Sequence, residues 1–300
     1  VTCPLSVAVL PSTVSFKYFI LPALTVFFVF TIYPLLPTIY NSFHNYNGIK
    51  TGEFVGLKNY IRNLNDASFK LSVKNTATVM LTQLLVFGPL SLLAALVINR
   101  QTPWLRTLFK ICSFIPSVLN VTVICLMWKM VFQSDWGLVD SALKALGLEQ
   151  LIHVWFSDPK TAIWVITIVY LWQFFGFNMI LFYSGIKAIP QSCLEAAYLD
   201  GATPAQRDWY VILPLMKETI KFVVILCTTG CMAMFAQVQV LTNGGPGDMT
   251  RTVVYNLYYR AFILDDFGGA SAIAVMYALF GLVMFLLINR FVARERVEYV

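Results

Sequence analysis

Long apolar stretches alternate with short polar segments along this chain, and six of them stand out by their length. They cover approximately residues 17–41, 74–98, 107–132, 161–184, 218–241 and 270–292. A helix needs about 20 mostly apolar residues to cross the hydrocarbon core of a bilayer. Each stretch has this length, so the pattern predicts an all-α membrane protein with six transmembrane helices. No repeat or flexible linker interrupts the series, and we expect a single transmembrane domain over residues 1–300.

The segment between the fourth and fifth stretches, residues 189–215, carries a dense set of helix start and stop signals. Pro190 suits a position at or just before a helix start, where its missing N–H has little effect. Ser192 and Glu195 have the spacing of a capping box. Gly201 tolerates the left-handed geometry that often ends a helix. These residues predict one short, capped helix that ends at Gly201.

The second half of the same segment repeats the pattern. Thr203 suits an N-cap, Pro204 suits the first helical position, and Gln206 completes a second capping box. Pro214 marks the approach to the next apolar stretch. The segment as a whole therefore predicts two short helices that are separated by a glycine and exposed between two membrane spans.

The composition excludes a soluble protein. Hydrophobic residues make up 58% of the chain and charged residues 12%, whereas soluble globular domains contain about 25% charged residues. The net charge is +6, but the sequence has no basic run and no basic–aromatic patch, which argues against nucleic acid as a partner. We interpret the positive charges as groups that flank the spans beside anionic membrane lipid.

The motifs that would indicate an enzyme are missing from the sequence. It contains no Walker motif, GxSxG, HExxH or paired-carboxylate arrangement. Its six cysteines form no CxxC pair, so neither a zinc site nor a disulfide framework is indicated. We expect no catalytic, cofactor-binding or metal-binding residue in this chain, and no ATP hydrolysis by the chain alone.

Polar side chains inside the spans are the remaining candidates for function, because a membrane penalises them. The candidates for a substrate pathway are Asn120, Gln173, Asn178, Tyr183 and Gln237. Amide side chains both donate and accept hydrogen bonds, and aromatic faces cover the C–H surface of a sugar, so this mixture suits a carbohydrate. Hydrogen bonding between helices explains any single one of these residues equally well.

Helical geometry divides the polar groups of the fifth stretch. Gln237 and Gln239 are two positions apart, roughly 200° around a helix, so they cannot both face one pore. Gly230, Ala233 and Gln237 share one face of small residues that ends in an amide. That face predicts close packing beside a cavity.

Three segments resemble parts of one protein family, and they occur in the same order along the chain as in that family. Residues 195–201 read EAAYLDG and residues 212–214 read ILP, a pattern that resembles the EAA loop of binding-protein-dependent ABC importer permeases. Residues 54–60 and 241–262 resemble two further segments of the same family. The chain is similar to the carbohydrate-uptake branch, and within it to the larger permease of maltose transporters. Ala236 departs from the pattern, since many relatives carry aspartate there.

The resemblance implies a type I ABC importer permease fold with cytoplasmic coupling helices. It also implies that the chain is a non-catalytic subunit of an ATP-driven carbohydrate importer that works by alternating access. The implied partners are a second related permease, two copies of a cytoplasmic ATPase that bind ATP and Mg²⁺, an external solute-binding protein and membrane lipid. The residues implied to couple the ATPase to the spans are Glu195, Ala196, Ala197, Asp200, Gly201, Leu213 and Pro214.

Charge and resemblance together place both termini and the segment 189–215 on the cytoplasmic side of a bacterial inner membrane. Residues 99–110 include three basic and no acidic residues, which the positive-inside rule assigns to the cytoplasm. The basic cluster in residues 50–74 argues for the opposite orientation.

Three other functions stay open at this stage. A permease for glycerol phosphate or another polyol ester calls for a basic group in the pathway, and the spans offer only Lys129. A secondary transporter calls for ionisable groups at the midplane, and the spans have almost none. A membrane scaffold without transport leaves the exposed, capped segment 189–215 unexplained.

Overall fold

The computed structural model describes residues 14–291, and helices dominate it as the hydrophobic pattern predicts. Its α-helices are α1 (Val14–Phe27), α2 (Tyr33–Ser42), α3 (Lys58–Asn65), α4 (Ala67–Thr82), α5 (Gly88–Asn99), α6 (Pro103–Val118), α7 (Val121–Val131), α8 (Leu138–Ala145), α9 (Ala162–Ala188), α10 (Gln191–Leu199), α11 (Pro204–Arg207), α12 (Leu213–Leu215), α13 (Lys217–Met232), α14 (Ala236–Leu241), α15 (Val253–Phe262) and α16 (Phe267–Phe291). The remaining elements are the π-helical turns Phe28–Ile32, Gln83–Phe87 and Asp208–Ile212, the 3₁₀ turn Glu149–Leu151, and the strands β1 (His44–Tyr46) and β2 (Thr51–Phe54).

The described residues form two compact units. The first comprises residues 14–63 and 260–275, and the second comprises residues 64–259 and 276–291. The single domain that the sequence predicts over residues 1–300 stays a prediction. Both chain termini, for which the sequence predicts a cytoplasmic location, lie outside the described residues.

In the first unit a β-hairpin follows α2 and precedes α3. Its strands β1 and β2 pair antiparallel, with His44 opposite Phe54. Asn59 of α3 is buried and donates hydrogen bonds to the carbonyl oxygens of Ser42 and His44, each 2.9 Å long. The sequence pattern does not predict this hairpin, because strands of three and four residues are too short to show a clear periodicity.

Within residues 14–291, five helical stretches are long and apolar enough to cross a membrane. They are Ile20–Ser42, Ala67–Asn99, Ala162–Ala188, Lys217–Leu241 and Phe267–Arg290. Each coincides with one of the six predicted stretches, so the hydrophobic pattern identifies these spans correctly.

The predicted third span, residues 107–132, is two helices instead of one. α6 and α7 are bent by 101° relative to each other, and the described part of the chain has six spans if this pair crosses the membrane as one. Asn120 lies at the N-cap of α7, where its side-chain oxygen accepts a 2.8 Å hydrogen bond from the Thr122 N–H. An asparagine cap can start a new helix inside an apolar stretch, so hydropathy alone does not reveal the break.

The helix α9 is the most buried of the five spans, and in the second unit it packs against α5 and α6. At Gly176 an added Cβ would lie 1.8 Å from the Ser113 carbonyl oxygen, so glycine permits the close approach of α6 and α9. Near the end of α9, Ile186 belongs to a buried apolar cluster that includes Ile212 and Met216. This cluster fixes the segment 189–215 to the end of the fourth predicted span.

The outward side chains of the spans are large and apolar. Exposed examples are Leu21, Phe30, Leu85, Leu93, Val118, Val123, Leu279 and Leu282. Lipid tails are as apolar as these side chains. A surface of this kind is therefore stable in a bilayer, whereas in water it would promote aggregation.

Candidate coupling segment and substrate cavity

Residues 189–215, which we call the coupling segment, form the helix α10 and a second helical stretch that runs from α11 through the π-helical turn into α12. The helix α10 begins at Gln191, with Pro190 at the N-cap (φ −55°, ψ 134°) and no side-chain cap. The predicted capping box of Ser192 and Glu195 is therefore wrong. Because the helix starts before Ser192, this serine lies inside the first turn instead of at the N-cap.

Gly201 ends the first helix, as the sequence predicts. Its φ is +75°, in the left-handed region that disfavours residues with a Cβ. The Gly201 N–H donates to the Tyr198 carbonyl oxygen and the Ala202 N–H donates to that of Ala197, each at 3.0 Å. These two bonds constitute a Schellman motif. No described atom lies within 4 Å of an added Cβ, so a substitution meets backbone strain without a clash.

The second predicted capping box is confirmed. The Thr203 N–H donates to Gln206 Oε1 at 2.8 Å, and the Gln206 N–H donates to Thr203 Oγ1 at 3.4 Å. Pro204 occupies the first helical turn. The helix α11 then continues through the π-helical turn into α12. Hydrogen bonds thus fix the Gly201–Thr203 turn from both sides.

The coupling segment also carries large exposed apolar side chains, which we call the apolar patch. Its members are Tyr198, Leu199, Trp209 and Tyr210, with exposures between 67% and 84%. Large exposed apolar side chains outside the membrane spans are typical of a surface that binds another protein.

The predicted coupling residues differ in their exposure. The exposed ones are Glu195, Ala196, Asp200 and Gly201. Ala197 is buried, and Leu213 and Pro214 are half-buried. Four of the seven are therefore accessible to a partner, and the other three contribute to packing of the coupling segment.

Arg100 joins the coupling segment to the end of the second predicted span. Its Nη2 donates both to Oδ2 of Asp208 and to the carbonyl oxygen of Pro204, the latter at 3.1 Å. Asp208 is buried. Arg106 donates to the carbonyl oxygens of Asn99 and Gln101 at 3.1 and 2.9 Å, and so stabilises the loop from which Arg100 extends. These contacts attach the coupling segment to the loop that follows the second span.

Between the spans of the second unit lies a cavity of about 280 Å³. Its polar lining residues are Gln83, Tyr170, Asn178 and Gln237. Phe174 and Phe177 contribute aromatic surface. None of the described residues that line it is Lys, Arg, His, Asp or Glu, so the cavity has no formally charged side chain. The rest of its lining consists of Leu226, Cys227, Gly230, Ala233 and Met234.

Three of the five predicted pathway residues lie at or next to this cavity. Asn178 and Gln237 line it, and the Gln237 side-chain N–H donates to Oε1 of buried Gln173 at 3.2 Å. Asn120 instead caps α7. The ammonium nitrogens of Lys110 and Lys187 lie 4.9 and 5.7 Å from the centroid of the Tyr183 ring.

The predicted separation of Gln237 and Gln239 onto different sides of the fifth span is confirmed. Gly230, Ala233 and Gln237 all line the cavity, although residues 233–235 separate α13 from α14. Gln239 does not line the cavity; its side-chain N–H donates to Asn243 Oδ1 at 3.3 Å.

Sequence reasoning missed two cavity residues and one coupling contact. Gln83 and Tyr170 lie in the second and fourth apolar stretches, and an amide in an apolar stretch is the signal that could have identified Gln83. Asp208 was missed because its partner, Arg100, lies 108 residues earlier in the chain. From the sequence alone, Arg100 serves only as one of the basic residues that indicate the cytoplasmic side of the membrane.

The chain matches the family model described as "Binding-protein-dependent transport system inner membrane component" over residues 88–297. It is 33% identical over 279 residues to the "Probable ABC transporter permease protein YurN" of Bacillus subtilis, covering 91% of this chain and 94% of that protein. It is 32% identical over 258 residues to the "Trehalose/maltose transport system permease protein MalF" of Thermococcus litoralis, covering 86% of each chain.

The fold also matches a solved transporter subunit. A bacterial ABC transporter involved in the import of the acidic polysaccharide alginate contains a chain that superposes with a TM-score of 0.81. That chain is 20% identical, and the match covers 92% of this chain and 94% of the other. A chain of a bacterial alginate ABC transporter in complex with an alginate pentasaccharide-bound periplasmic protein superposes with a TM-score of 0.82. By its sequence match, this chain belongs to the binding-protein-dependent transport system inner membrane component family, the permease subunits of ABC transporters.

Proposed function

We propose that this chain is one of two permease subunits of an ATP-driven importer for an uncharged carbohydrate. The observation that carries the proposal is the cavity in the second unit, where amides, a phenol and aromatic rings are the lining chemistry. Amide groups both donate to and accept from sugar hydroxyls, and aromatic rings cover the C–H faces of a sugar ring. The relative named for trehalose/maltose transport supports the same substrate class.

The uncharged lining favours a neutral sugar over the main alternative, a glycerol phosphate or another polyol ester. A phosphate or carboxylate in a membrane cavity needs a cation or several N–H donors to offset desolvation. Lys129, the one basic candidate from the sequence, is exposed in the last turn of α7 and does not line the cavity. The cavity therefore offers a phosphate no cationic partner from the described residues.

The exposed surface of the coupling segment supports ATP hydrolysis by a partner protein as the energy source. Its apolar patch and the exposed residues Glu195, Ala196, Asp200 and Gly201 form the surface on which we place a cytoplasmic ATPase. In this proposal two ATPase copies bind ATP and Mg²⁺, and their closure displaces the coupling segment. The Arg100–Asp208 ion pair passes that displacement to the second span, which carries Gln83 into the cavity.

The remaining partners follow from the same proposal. A second, related permease completes the pathway, and a solute-binding protein delivers the sugar from outside. The importer then resides in a bacterial inner membrane, with the coupling segment and both termini on the cytoplasmic side. Alternation between two global states exposes the cavity to one side at a time.

Substrate selectivity of the complete importer tests the proposal. Vesicles would contain this chain, the second permease, the ATPase and the binding protein, with ATP enclosed on the ATPase side. Labelled maltose, trehalose, lactose and glycerol 3-phosphate are supplied in turn, and vesicles with ADP serve as the control. We expect ATP-dependent uptake of at least one neutral sugar and none of glycerol 3-phosphate. Uptake of the phosphate ester alone would contradict the assignment.

A further inference from the structure

Gln83 occupies an unusual position in the second span. It begins the π-helical turn Gln83–Phe87, which interrupts the helix between α4 and α5. Its side chain is 2% exposed and lines the cavity. Single π-helical turns inside α-helices are frequent at functional sites, since they redirect the side chains next to them.

The hydrogen bonding of the Gln83 amide is incomplete. Its Nε2 donates to Sγ of Cys227 at 3.1 Å, and sulfur is a weak acceptor. Its Oε1 is buried and has no hydrogen-bond partner among the described residues. An amide oxygen can accept two hydrogen bonds, and a buried acceptor that accepts none destabilises the folded state. The missing partner of this atom is a hydrogen-bond donor.

Gln83 also marks one end of the polar cavity. Gln83 and Cys227 line a second cavity of about 140 Å³, whose other lining residues are all apolar or glycine and include Leu92, Phe182 and Ile220. Along α13 the second cavity lies nearer to the coupling segment than the first, since Ile220 precedes Cys227 by two helical turns. Gln83 thus lies where the polar cavity meets an apolar one.

We propose that Oε1 of Gln83 accepts a hydrogen bond from a hydroxyl group of the transported sugar. The inference rests on the proposed carbohydrate substrate and adds to it a ligand residue from the second span. A sugar hydroxyl supplies the donor that the amide oxygen lacks, and Asn178 and Gln237 supply further amide groups to the same molecule. Gln83 also connects substrate to coupling, because the span that carries it ends at the loop of Arg100.

A purely structural role for Gln83 predicts a different pattern of transport among the variants. If Gln83 served only to hold Cys227, then Cys227→Ala would impair transport as much as a change of Gln83. If Gln83 binds the sugar, Gln83→Met removes the acceptor at similar volume, whereas Cys227→Ala leaves Oε1 in place. Ser91→Ala is a matched control, because this buried hydroxyl donates to carbonyl oxygens of the same span, those of Phe87 and Gly88.

The experiment uses the complete importer in vesicles and the neutral sugar that wild type takes up fastest. Each variant is assayed with that sugar and with its monodeoxy analogues, and ATPase co-purification reports assembly. Because the same binding protein delivers every compound, its own selectivity cancels when variants are compared. We expect wild type to prefer the parent sugar over one analogue by about tenfold, and Gln83→Met to abolish that preference. Gln83→Glu, which keeps an acceptor at the same position, should retain it if Gln83→Met fails to assemble.

The outcomes separate the two proposals. Sugar uptake by wild type together with an unchanged preference in assembled Gln83→Met overturns the role of Gln83 and leaves the carbohydrate assignment intact. An equal loss of the preference for the parent sugar in Gln83→Met and Cys227→Ala also overturns the binding role of Gln83, in favour of a structural role. Failure of wild type to import any neutral sugar, with uptake of glycerol 3-phosphate, overturns both proposals.

Discussion

Arg100 and Asp208 form an ion pair that joins the loop after the second span to the coupling segment. The aspartate is buried, and the same guanidinium group also donates to the Pro204 carbonyl oxygen. Charge-assisted hydrogen bonds of this kind are stronger than neutral ones, and they fix geometry as well as distance. The contact gives the coupling segment a direct connection to a span that lines the cavity.

Asp208→Ala should lower the ATPase activity that the loaded binding protein stimulates by about tenfold, because a charge-assisted hydrogen bond contributes about 1.5 kcal/mol or more. Combining Arg100→Asp with Asp208→Arg should recover much of that activity. Glu218→Ala is the control, since the Glu218–Lys221 pair, at 3.5 Å, is an ordinary pair one helical turn apart. Equal effects of Asp208→Ala and Glu218→Ala would show that the ion pair has no special part in coupling.

Gly201→Asp should abolish the stimulation of ATP hydrolysis while leaving membrane insertion intact. The φ of +75° imposes a strain of about 1 kcal/mol on a residue with a Cβ, and the added charge faces the proposed ATPase surface. Gly147 offers a matched control, because it has a φ of +70° and similarly open surroundings in another loop. Gly147→Asp should leave coupling unchanged, and a similar loss in both variants would point to misfolding instead.

The apolar patch should be the site at which the ATPase docks. Leu199→Glu and Trp209→Ala should each reduce ATPase co-purification, since both side chains are more than 60% exposed and neither supports the core. Trp136, which is 62% exposed just before α8, provides the comparison. If Trp136→Ala reduces co-purification as much as Trp209→Ala does, the patch is not the docking surface.

Gln237→Ala should lower sugar uptake at least severalfold without lowering subunit assembly. Its side chain lines the cavity and is oriented by Gln173, so its removal takes away an amide that can reach a sugar hydroxyl. Gln239→Ala, two residues further on, removes an amide that bonds Asn243 outside the cavity. Identical uptake by the Gln237→Ala and wild-type importers would indicate that Gln237 only packs.

The sequence predicts those parts of the fold that depend on local patterns. Hydropathy locates five spans because each consists of a long continuous apolar stretch, and Gly201 and the Thr203–Gln206 box are found because capping depends on a few neighbouring residues. The 101° bend before α7 is not found, since a single asparagine in an apolar stretch also suits an interhelical hydrogen bond.

The candidate site is less predictable because its contacts join distant parts of the chain. Gln83 is separated from Cys227 by 144 residues, and Arg100 is separated from Asp208 by 108. No local periodicity encodes these pairs. The sequence predicts Gln237 because its own helix face carries small residues. Gln83 has no such neighbours, so an amide in an apolar stretch is its only local signal, and its cavity contacts depend on how the spans pack together.

The central claim, that this chain helps to move a neutral sugar at the expense of ATP, is tested most directly by accumulation. Vesicles that contain the complete importer are given labelled sugar and binding protein outside, with enclosed ATP and a protonophore present to abolish ion gradients. We predict that the internal sugar concentration rises above the external one with ATP and stays below it with ADP. Accumulation that needs an ion gradient, or that proceeds equally with ADP, would contradict the account.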